Sequence, residues 1–151
     1  VWGDVDVKLT LDKSYTVGGT EYLQNPTEIG HGYGTKETKN KTDLLTWHFV
    51  APNVHDFTWA ADPKFVHDTL QVPDGPLLHF LYKKSLKREF KKRWKDLQEP
   101  TSEIMQYYSN NVGKYPYEQY SVIQGGDGGM EYGMCTLITG ERRCRRFNYS
   151  F

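Results

Sequence analysis

The sequence predicts an α+β fold, and three observations along the chain support this class. In the first sixty residues, apolar and polar side chains repeatedly alternate with a period of two, as they do in half-buried strands. Between residues 86 and 112 the apolar spacing lengthens to three and four residues, which indicates helices. Strand-like segments return between residues 120 and 139. We therefore expect an all-β region and then strands that flank a helical segment, with the two regions meeting near residues 62 to 66.

The all-β region begins with two predicted strands. Val and Leu alternate with Asp, Lys and Thr over residues 5–11, and residues 15–17 form a short second β-like segment. Gly18 and Gly19 follow and are expected to bend the chain. Residues 30–41 are rich in glycine, lysine and threonine and are predicted to form an exposed loop or a hairpin tip.

Four more β-like segments precede the helices. They are residues 44–50, 54–60, 65–72 and 77–83. The first of them would place Trp47 and Phe49 on one face of a strand, because alternate residues share a face. The last two are separated by the turn residues Pro73-Asp74-Gly75-Pro76, so they are expected to form an antiparallel pair.

Two helices are predicted from the longer apolar spacing. The first helix would present one apolar face, which consists of Leu86, Phe90, Trp94 and Leu97. Pro100 is expected to interrupt this helix, so that Thr101 or Ser102 caps a second one. Gly113 fits the end of the second helix. The apolar residues of the second helix are Ile104, Met105, Tyr108 and Val112.

The composition argues against several classes of partner. The 151-residue chain has 19 Lys and Arg and 19 Asp and Glu, so its formal net charge is zero. A neutral chain is not expected to bind nucleic acid electrostatically. No stretch is long and apolar enough to span a bilayer. The first residues are not a secretory signal and do not include an initiator Met, so we interpret the chain as a mature segment or an internal fragment.

The last segment, residues 141–151, shows no apolar periodicity and is predicted to be an irregular tail. It contains Arg142, Arg143, Arg145 and Arg146. These could form an RNA-binding cluster, but on a neutral chain a solvated tail is favoured. The two cysteines, Cys135 and Cys144, are predicted to be plain thiols, because two cysteines make neither a disulfide framework nor a metal knuckle.

Four glycines surround Asp127 between the strand-like segments 120–124 and 134–139. The stretch contains neither a P-loop motif nor the dinucleotide motif, and it leads from strand to strand, so phosphate binding is disfavoured. Asp127-Gly128 is a strong signal for a two-residue hairpin turn. A hairpin turn, however, does not explain why the three other positions are also glycine.

An exposed strand edge is the functional interpretation of the same stretch. Glycine beside a strand often marks close approach by another backbone, and an extended peptide can add itself to a sheet edge as a further strand. Glu131 could then hold the α-ammonium group of that peptide through a charge-assisted hydrogen bond. The α-amine has a pKa of roughly 8 and is mostly charged at neutral pH. A site that holds the first residue of a peptide suits an exopeptidase.

Residues 128–132, "GGMEY", resemble the exopeptidase motif of zinc aminopeptidases, whose usual form is G-A/G-M-E-N. These enzymes are the gluzincins similar to alanyl aminopeptidase and leukotriene hydrolase. The similarity extends upstream to residue 115 through "YPYEQYSVIQGGDGGMEY". Residues 46–65 and 5–26 resemble strands of the N-terminal β domain of that family. Several separated segments thus agree with the family in order, over most of residues 5–140.

The resemblance implies a fold and an activity. Residues 1–63 would be the C-terminal part of a saddle-like, N-terminal β-sandwich domain. Residues 64–140 would be the first strands and helices of a thermolysin-like catalytic domain. The parent protein would be a zinc-dependent aminopeptidase that removes N-terminal residues from peptides, and we expect it to be periplasmic or secreted.

The resemblance also implies a set of substrate-binding residues. Carried over position by position, they are Gly128, Gly129, Met130, Glu131 and Tyr132. Glu131 would bind the free amine of the substrate, the two glycines would present their backbone to it, and Met130 would help to shape the cleft. Tyr132 stands where many members have Asn. Gly133 stands where relatives with the Tyr form often have Pro, which could loosen the loop.

The zinc motif of the family is missing from this sequence. Catalysis in the family needs H-E-x-x-H and a glutamate further along the chain, and none of the five histidines here is followed by Glu. We interpret the histidines as structural or surface residues; they are His31, His48, His55, His67 and His79. His55 and His67 precede aspartates, but adjacent strand residues face opposite sides. We therefore expect no catalytic residue, no bound zinc and no hydrolysis in this chain.

A second interpretation uses the aromatic residues instead of the glycine-rich stretch. The chain would be a non-catalytic, β-rich module that binds peptides or glycans. Its contacts would include Tyr33, Trp47 and Trp59. Aromatic residues on strand faces are more often part of a core than of a ligand platform, but the missing zinc motif keeps this interpretation open. Glu131→Ala separates the two, since it should impair capture of an N-terminal amine in an aminopeptidase and matter little in a glycan-binding module.

Overall fold

The structure is a computed structural model that describes residues 2–12, 14–19, 44–126 and 128–140. In chain order, the elements are β1 (Gly3–Asp12), β2 (Thr16–Gly19), β3 (Leu44–Val54), β4 (Trp59–Asp62), β5 (Phe65–Gln71), β6 (Leu77–Lys83), α1 (Arg88–Asp96), α2 (Gln98–Asn111), β7 (Gln119–Gly125), β8 (Met130–Glu131) and β9 (Cys135–Thr139). This order confirms the α+β class. Within the described ranges, no helix is long and apolar enough to cross a membrane.

Several predicted features lie outside the described residues. They are the loop at residues 30–41, Asp127 of the glycine-rich stretch, His31, Tyr33, Cys144 and the segment 141–151. The predictions for these features stay predictions.

The described strands form one five-stranded sheet and two strand pairs. The order in the large sheet is β5-β6-β7-β9-β8. Its three central strands are parallel, whereas β5 and β8 run antiparallel to their neighbours at the two edges. Strand β1 pairs with β3, and β2 pairs with β4, both antiparallel. Helices α1 and α2 connect β6 to β7, because parallel neighbours need a long crossover connection.

The centre of the five-stranded sheet is buried on both faces. On one face, Phe80 and Val122 pack with Trp94 of α1. On the other face, Leu81 packs with Trp47 of β3. Neighbouring residues such as Phe80 and Leu81 point to opposite faces, so a strand that is buried on both sides needs a nearly continuous apolar sequence. This requirement explains the apolar run of β6. Trp47 of β3 faces the core, where 3% of its surface is exposed.

The prediction that Gly18 and Gly19 bend the chain is wrong, because both residues lie in β2 and pair with β4. Close packing explains the two glycines. A Cβ atom at Gly18 would lie 2.8 Å from Cδ2 of Leu81, and one at Gly19 would lie 2.2 Å from the backbone oxygen of Thr58. Ser121 of β7 donates a buried hydrogen bond of 3.1 Å to the Gly19 oxygen. The bare backbone of β2 therefore lies directly against the large sheet.

The predicted strand over residues 54–60 is also wrong. Strand β3 continues to Val54, the next four residues leave the sheet, and β4 begins at Trp59. Asn53 has a φ of 54°, in the left-handed region that Asn adopts more readily than most residues. Its backbone N–H donates to Oδ1 of Asp4 at 2.8 Å. At this point the register of the β1–β3 pair shifts, and the pairing ends one residue later at Val54.

The first predicted helix is confirmed, whereas the second begins earlier than expected. Helix α2 begins at Gln98, so Pro100 lies in its first turn, where a missing N–H is tolerated. Neither Thr101 nor Ser102 caps the helix. The Thr101 hydroxyl instead donates to the Leu97 oxygen at 2.8 Å. The helix ends shortly before Gly113, as predicted.

One apolar core joins both predicted regions of the chain. Its buried residues are Val17, Trp47, Phe49, Leu81, Ile123 and Cys135. The first three come from the predicted N-terminal β domain, and the last three come from the strands after it. A division of the chain at residues 63 and 64 stays a prediction.

We predict that Gly19→Ala lowers the free energy of unfolding by about 2 to 3 kcal/mol, since the new Cβ overlaps a backbone oxygen that cannot rotate away. Urea denaturation of the whole chain measures the change. Gly3→Ala is the control, because nothing lies within 4 Å of a Cβ atom at Gly3. Equal stability of Gly19→Ala and the parent chain would contradict the close packing of β2.

Candidate functional site

The glycine-rich stretch leads from an inner strand to the edge of the sheet. Strand β8 lies at the outer edge, and β9 lies between β7 and β8. Strands β7 and β8 are therefore not paired neighbours, while a turn at Asp127 itself lies outside the described residues. The physical reason for the separation of the two strands is that β9 pairs in parallel with β7, so β8 must take the outer position. The hairpin that does form joins β8 to β9.

Close packing explains two of the four glycines around position 127. A Cβ atom at Gly125 would lie 3.1 Å from the Gly128 oxygen, and one at Gly129 would lie 3.3 Å from the Leu137 oxygen. Among the described residues, nothing lies within 4 Å of a Cβ atom added at Gly126 or Gly128. The first pair lets the backbone of this segment pack closely, as glycine beside a strand often does. The second pair leaves open space beside the edge strand.

Glu131 is exposed and lies opposite Thr136 of β9. Directly paired residues project from the same face of a sheet, so Glu131 shares its face with Thr136. The Thr136 hydroxyl is hydrogen-bonded to the Tyr120 hydroxyl. Burial raises the pKa of Tyr120, and the charge of Glu131 contributes further to this rise.

Met130 and Tyr132 flank Glu131 along the chain and differ in exposure. The Met130 side chain is 50% exposed, whereas Tyr132 packs against the apolar core. The Tyr132 N–H donates to the Cys135 oxygen at 2.8 Å, which closes the turn around Gly133. Of the five residues implied by the resemblance, four are therefore exposed at the edge of the sheet, and Tyr132 anchors the end of the strand.

Tyr115 is a residue of this site that the sequence analysis did not single out. Its hydroxyl lies 3.0 Å from the Gly133 oxygen and 3.2 Å from the Gln119 oxygen. Burial raises the pKa of Tyr115 above its ordinary value, and nearby Tyr120 and Tyr117 contribute. The only sequence signal was the aromatic run "YPYEQY" before the glycine-rich stretch.

An open groove of about 420 Å³ lies on the same face of the sheet as Glu131. Helix α2 forms one wall through Ile104 and Tyr108, whose side chains are 55% and 57% exposed. Tyr115 and Tyr120 form part of the remaining lining. The apolar residues predicted for the second helix thus divide between this groove, the solvent and, for Met105, the core.

The described histidines make local contacts and do not form one cluster. His48 Nε2 lies 2.8 Å from Asp6 Oδ1, and His55 Nε2 lies 3.1 Å from Asp56 Oδ2. The expectation that His55 and Asp56 point apart is wrong, because His55 follows the end of β3 and is not in a strand. In the part of the chain that the structure describes, no group of three or more His, Cys, Asp and Glu could hold a metal ion.

His67 and His79 form a pair inside the sheet. His67 Nε2 lies 2.9 Å from His79 Nδ1, and the two rings stack with centroids 5.2 Å apart. His79 is fully buried. Burial lowers its pKa to about 3, and the charge of His67 lowers it further, while a hydrogen bond with Gln119 opposes the shift. His79 is therefore a neutral core residue near pH 7, as expected for a structural histidine.

The exposure of the aromatic residues weakens the glycan-binding interpretation. Trp47 is buried, with 3% of its surface exposed, so it cannot contact a ligand. Trp59 is 46% exposed.

Cys135 is a free, buried thiol, as predicted, and burial raises its pKa to about 12, with the charge of Asp56 adding to the shift. Such a thiol is protonated and unreactive near neutral pH.

Solved structures with a similar fold are M1 zinc metallopeptidases. A two-domain mutant bound to L-arginine has a TM-score of 0.69 and 15% identity. A mutant from Deinococcus radiodurans bound to a Tyr-Ser-Ala substrate has a TM-score of 0.68 and 16% identity. Another structure from Deinococcus radiodurans has a TM-score of 0.63 and 14% identity.

These three matches cover 92% of this chain and 30% of each matched chain. The chain thus spans less than a third of the length of those proteins, and at this identity the likeness concerns the fold. No protein-family model and no curated protein matches the sequence.

We predict that stability falls as the pH decreases from about 6.5 towards 3 in part because of His79. In this window the unfolded chain binds a proton that the folded chain excludes, so the unfolding free energy loses up to about 1.4 kcal/mol per pH unit from one such site. Urea denaturation at several pH values should give a shallower slope for His79→Gln. His55→Gln, at a half-exposed imidazole, is the control, and an unchanged slope for His79→Gln would contradict the assignment.

Proposed function

We propose that this chain is part of a zinc-dependent aminopeptidase and supplies the strand that binds the N-terminus of a peptide substrate. The observation that carries the proposal is the exposed Glu131 on the edge strand β8. The fold around this strand is similar to that of M1 zinc metallopeptidases, and one of those structures is bound to a Tyr-Ser-Ala substrate. The motif "GGMEY" at residues 128–132 supports the same function.

The chemistry of the proposed site is the recognition of a charged amine. An α-ammonium group donates hydrogen bonds, and a carboxylate only accepts them, so the two groups form a short, charge-assisted contact. An α-amine with a pKa of roughly 8 stays mostly protonated at neutral pH. In the proposal, the backbone of the peptide pairs with the outer edge of β8, next to Gly126 and Gly128, where no described residue lies within 4 Å of an added Cβ atom.

The zinc ion that the proposed activity needs does not fit the described residues. They contain no group of three or more suitable ligands, and no histidine of the sequence is followed by Glu. We therefore assign no catalytic step to these residues. In the proposal, residues 1–63 belong to an N-terminal β domain, residues 64–140 begin the catalytic domain, and the parent protein acts on peptides in the periplasm or outside the cell.

We predict that Glu131→Gln weakens the binding of an unblocked tetra-alanine peptide about fivefold to tenfold, because the variant loses one charged hydrogen bond at an exposed site. The measurement is a titration of the ¹⁵N-labelled chain, followed at the amides of Gly128, Gly129 and Glu131. The N-acetylated peptide, which has no ammonium group, should bind weakly to the parent chain and equally weakly to the variant.

Glu103→Gln is the matched control, since it removes one exposed carboxylate from α2 and leaves the edge strand intact. Equal binding of the free and acetylated peptides by the parent chain would contradict the proposal. An equal loss of affinity in both variants would show a general effect of net charge, and it would also count against a specific role of Glu131.

We also predict that the 151-residue chain does not hydrolyse aminoacyl arylamides when zinc is added, because the sequence contains no H-E-x-x-H motif. Release of the arylamine and the amount of zinc retained after dialysis measure this outcome. Stoichiometric zinc together with hydrolysis would contradict the proposed division of roles, in which this chain binds substrate and lacks the metal site.

A further inference from the structure

The turn between β8 and β9 decides where Glu131 lies. Strand β8 has only two residues, and its pairing consists of Met130 with Leu137 and Glu131 with Thr136. Such a short edge strand contributes few ladder contacts to hold itself in place. The turn that follows it must therefore provide much of its orientation.

Gly133 lies in this turn, and the described structure around it does not restrict the type of residue at this position. Its φ lies outside the left-handed region, and an added Cβ atom would meet only Cε1 of His55 at 3.7 Å. Nothing in the packing or the backbone conformation thus requires a glycine here. Glycine also has the largest conformational freedom to lose on folding. The residues on either side of Gly133 are held by other contacts: Tyr132 packs against the core, and the Met134 oxygen accepts a hydrogen bond of 3.0 Å from the Ser121 N–H.

The Tyr115 hydroxyl contacts Gly133 itself. It lies within hydrogen-bonding distance of two backbone oxygens, that of Gly133 at 3.0 Å and that of Gln119 at 3.2 Å. A phenol has one proton to donate, so the two carbonyl groups share it. The bridge connects the start of β7, in the centre of the sheet, to the turn at its edge.

Neighbouring rings hold Tyr115 itself in place. Its ring packs edge-on against Tyr117 and Tyr120, with centroids 5.6 Å and 6.0 Å apart. Tyr120 in turn is hydrogen-bonded to Thr136, which lies opposite Glu131. Because burial raises its pKa, the Tyr115 phenol stays protonated and remains a donor throughout the neutral pH range.

We propose that Tyr115 is a positioning residue that holds the β8–β9 turn and thereby places the Glu131 carboxylate for the amine of the peptide. This inference rests on the proposed function of Glu131. Tyr115 acts through the Gly133 carbonyl and the edge strand, and it does not touch the substrate.

The test compares Tyr115→Phe with Tyr117→Phe in the full chain. Both variants lose one phenolic hydroxyl and keep the aromatic ring, but the Tyr117 hydroxyl donates to the Asn53 oxygen in β3 and not to the Gly133 oxygen. Two quantities are measured: the hydrogen-exchange rate of the Tyr132 amide, which donates to Cys135, and the affinity for unblocked and acetylated tetra-alanine.

In Tyr115→Phe we expect faster exchange at the Tyr132 amide and about threefold to tenfold weaker binding of the unblocked peptide, the effect of one lost hydrogen bond. Binding of the acetylated peptide should not change, since that peptide lacks the ammonium group. Tyr117→Phe should retain the exchange rate and the affinity of the parent chain. A variant with a purely structural defect would instead lose both peptides equally.

A second substitution tests the mechanism by rescue. A Cβ atom fits at Gly133, and Gly133→Ala reduces the conformational freedom of the backbone in a turn that lacks the Tyr115 hydrogen bond. Added to Tyr115→Phe, it should slow the exchange at Tyr132 and restore part of the affinity. Failure to restore either quantity would contradict the role of Tyr115 in ordering the turn.

The results separate this inference from the proposed function. If the parent chain binds unblocked and acetylated peptides equally, Glu131 does not bind the amine and the proposed function is wrong. The inference about Tyr115 is then wrong as well, because it rests on that function. If the parent chain discriminates between the peptides but Tyr115→Phe matches it in exchange and affinity, the proposed function stands and the inference is overturned. Equal effects of Tyr115→Phe and Tyr117→Phe also overturn it.

Discussion

Burial of the five-stranded sheet on both faces is the constraint on which the rest of the structure depends. Parallel strands need helices or other layers on each side, and here α1 covers Phe80 and Val122 while β2 and β3 cover Leu81 and Ile123. The layer formed by β2 approaches this sheet so closely that a Cβ atom added at Gly18 would lie 2.8 Å from Cδ2 of Leu81. The hydrogen bond from Ser121 to the Gly19 oxygen fixes the position of the same layer.

The candidate site exists because one strand of this sheet lies beyond the covered centre. Because β9 pairs with β7, strand β8 lies at the outer edge of the sheet. Glu131 of this short strand is exposed, whereas the side chain of the next residue, Tyr132, packs against the core. Two adjacent residues of the site therefore differ in environment. The Tyr132 side chain and the Tyr115 hydroxyl connect the exposed edge to the rigid interior, which is how a binding group at the edge of a sheet keeps a defined position.

Polar groups inside the fold serve the packing, and those at the edge are available for recognition. His79 is buried and neutral beside His67, and Cys135 is a protonated core thiol. Neither has the exposure that a catalytic or metal-binding group needs. In the proposed function, the described part of the chain therefore contributes the exposed Glu131 at the sheet edge, and no catalytic step is assigned to its buried polar groups.

The sequence by itself determined the α+β class, most of the strands and the first helix, because local periodicity reflects which side of an element is buried; the structure decided that Trp47 lies in the core. The sequence also indicated the segment with Glu131 through a motif. Only the tertiary structure decided that Gly18 and Gly19 lie within a strand, that β8 is separated from β7, and that Tyr115 contacts the turn at Gly133. These features depend on contacts between residues that are distant along the chain, and periodicity carries no information about which distant elements meet.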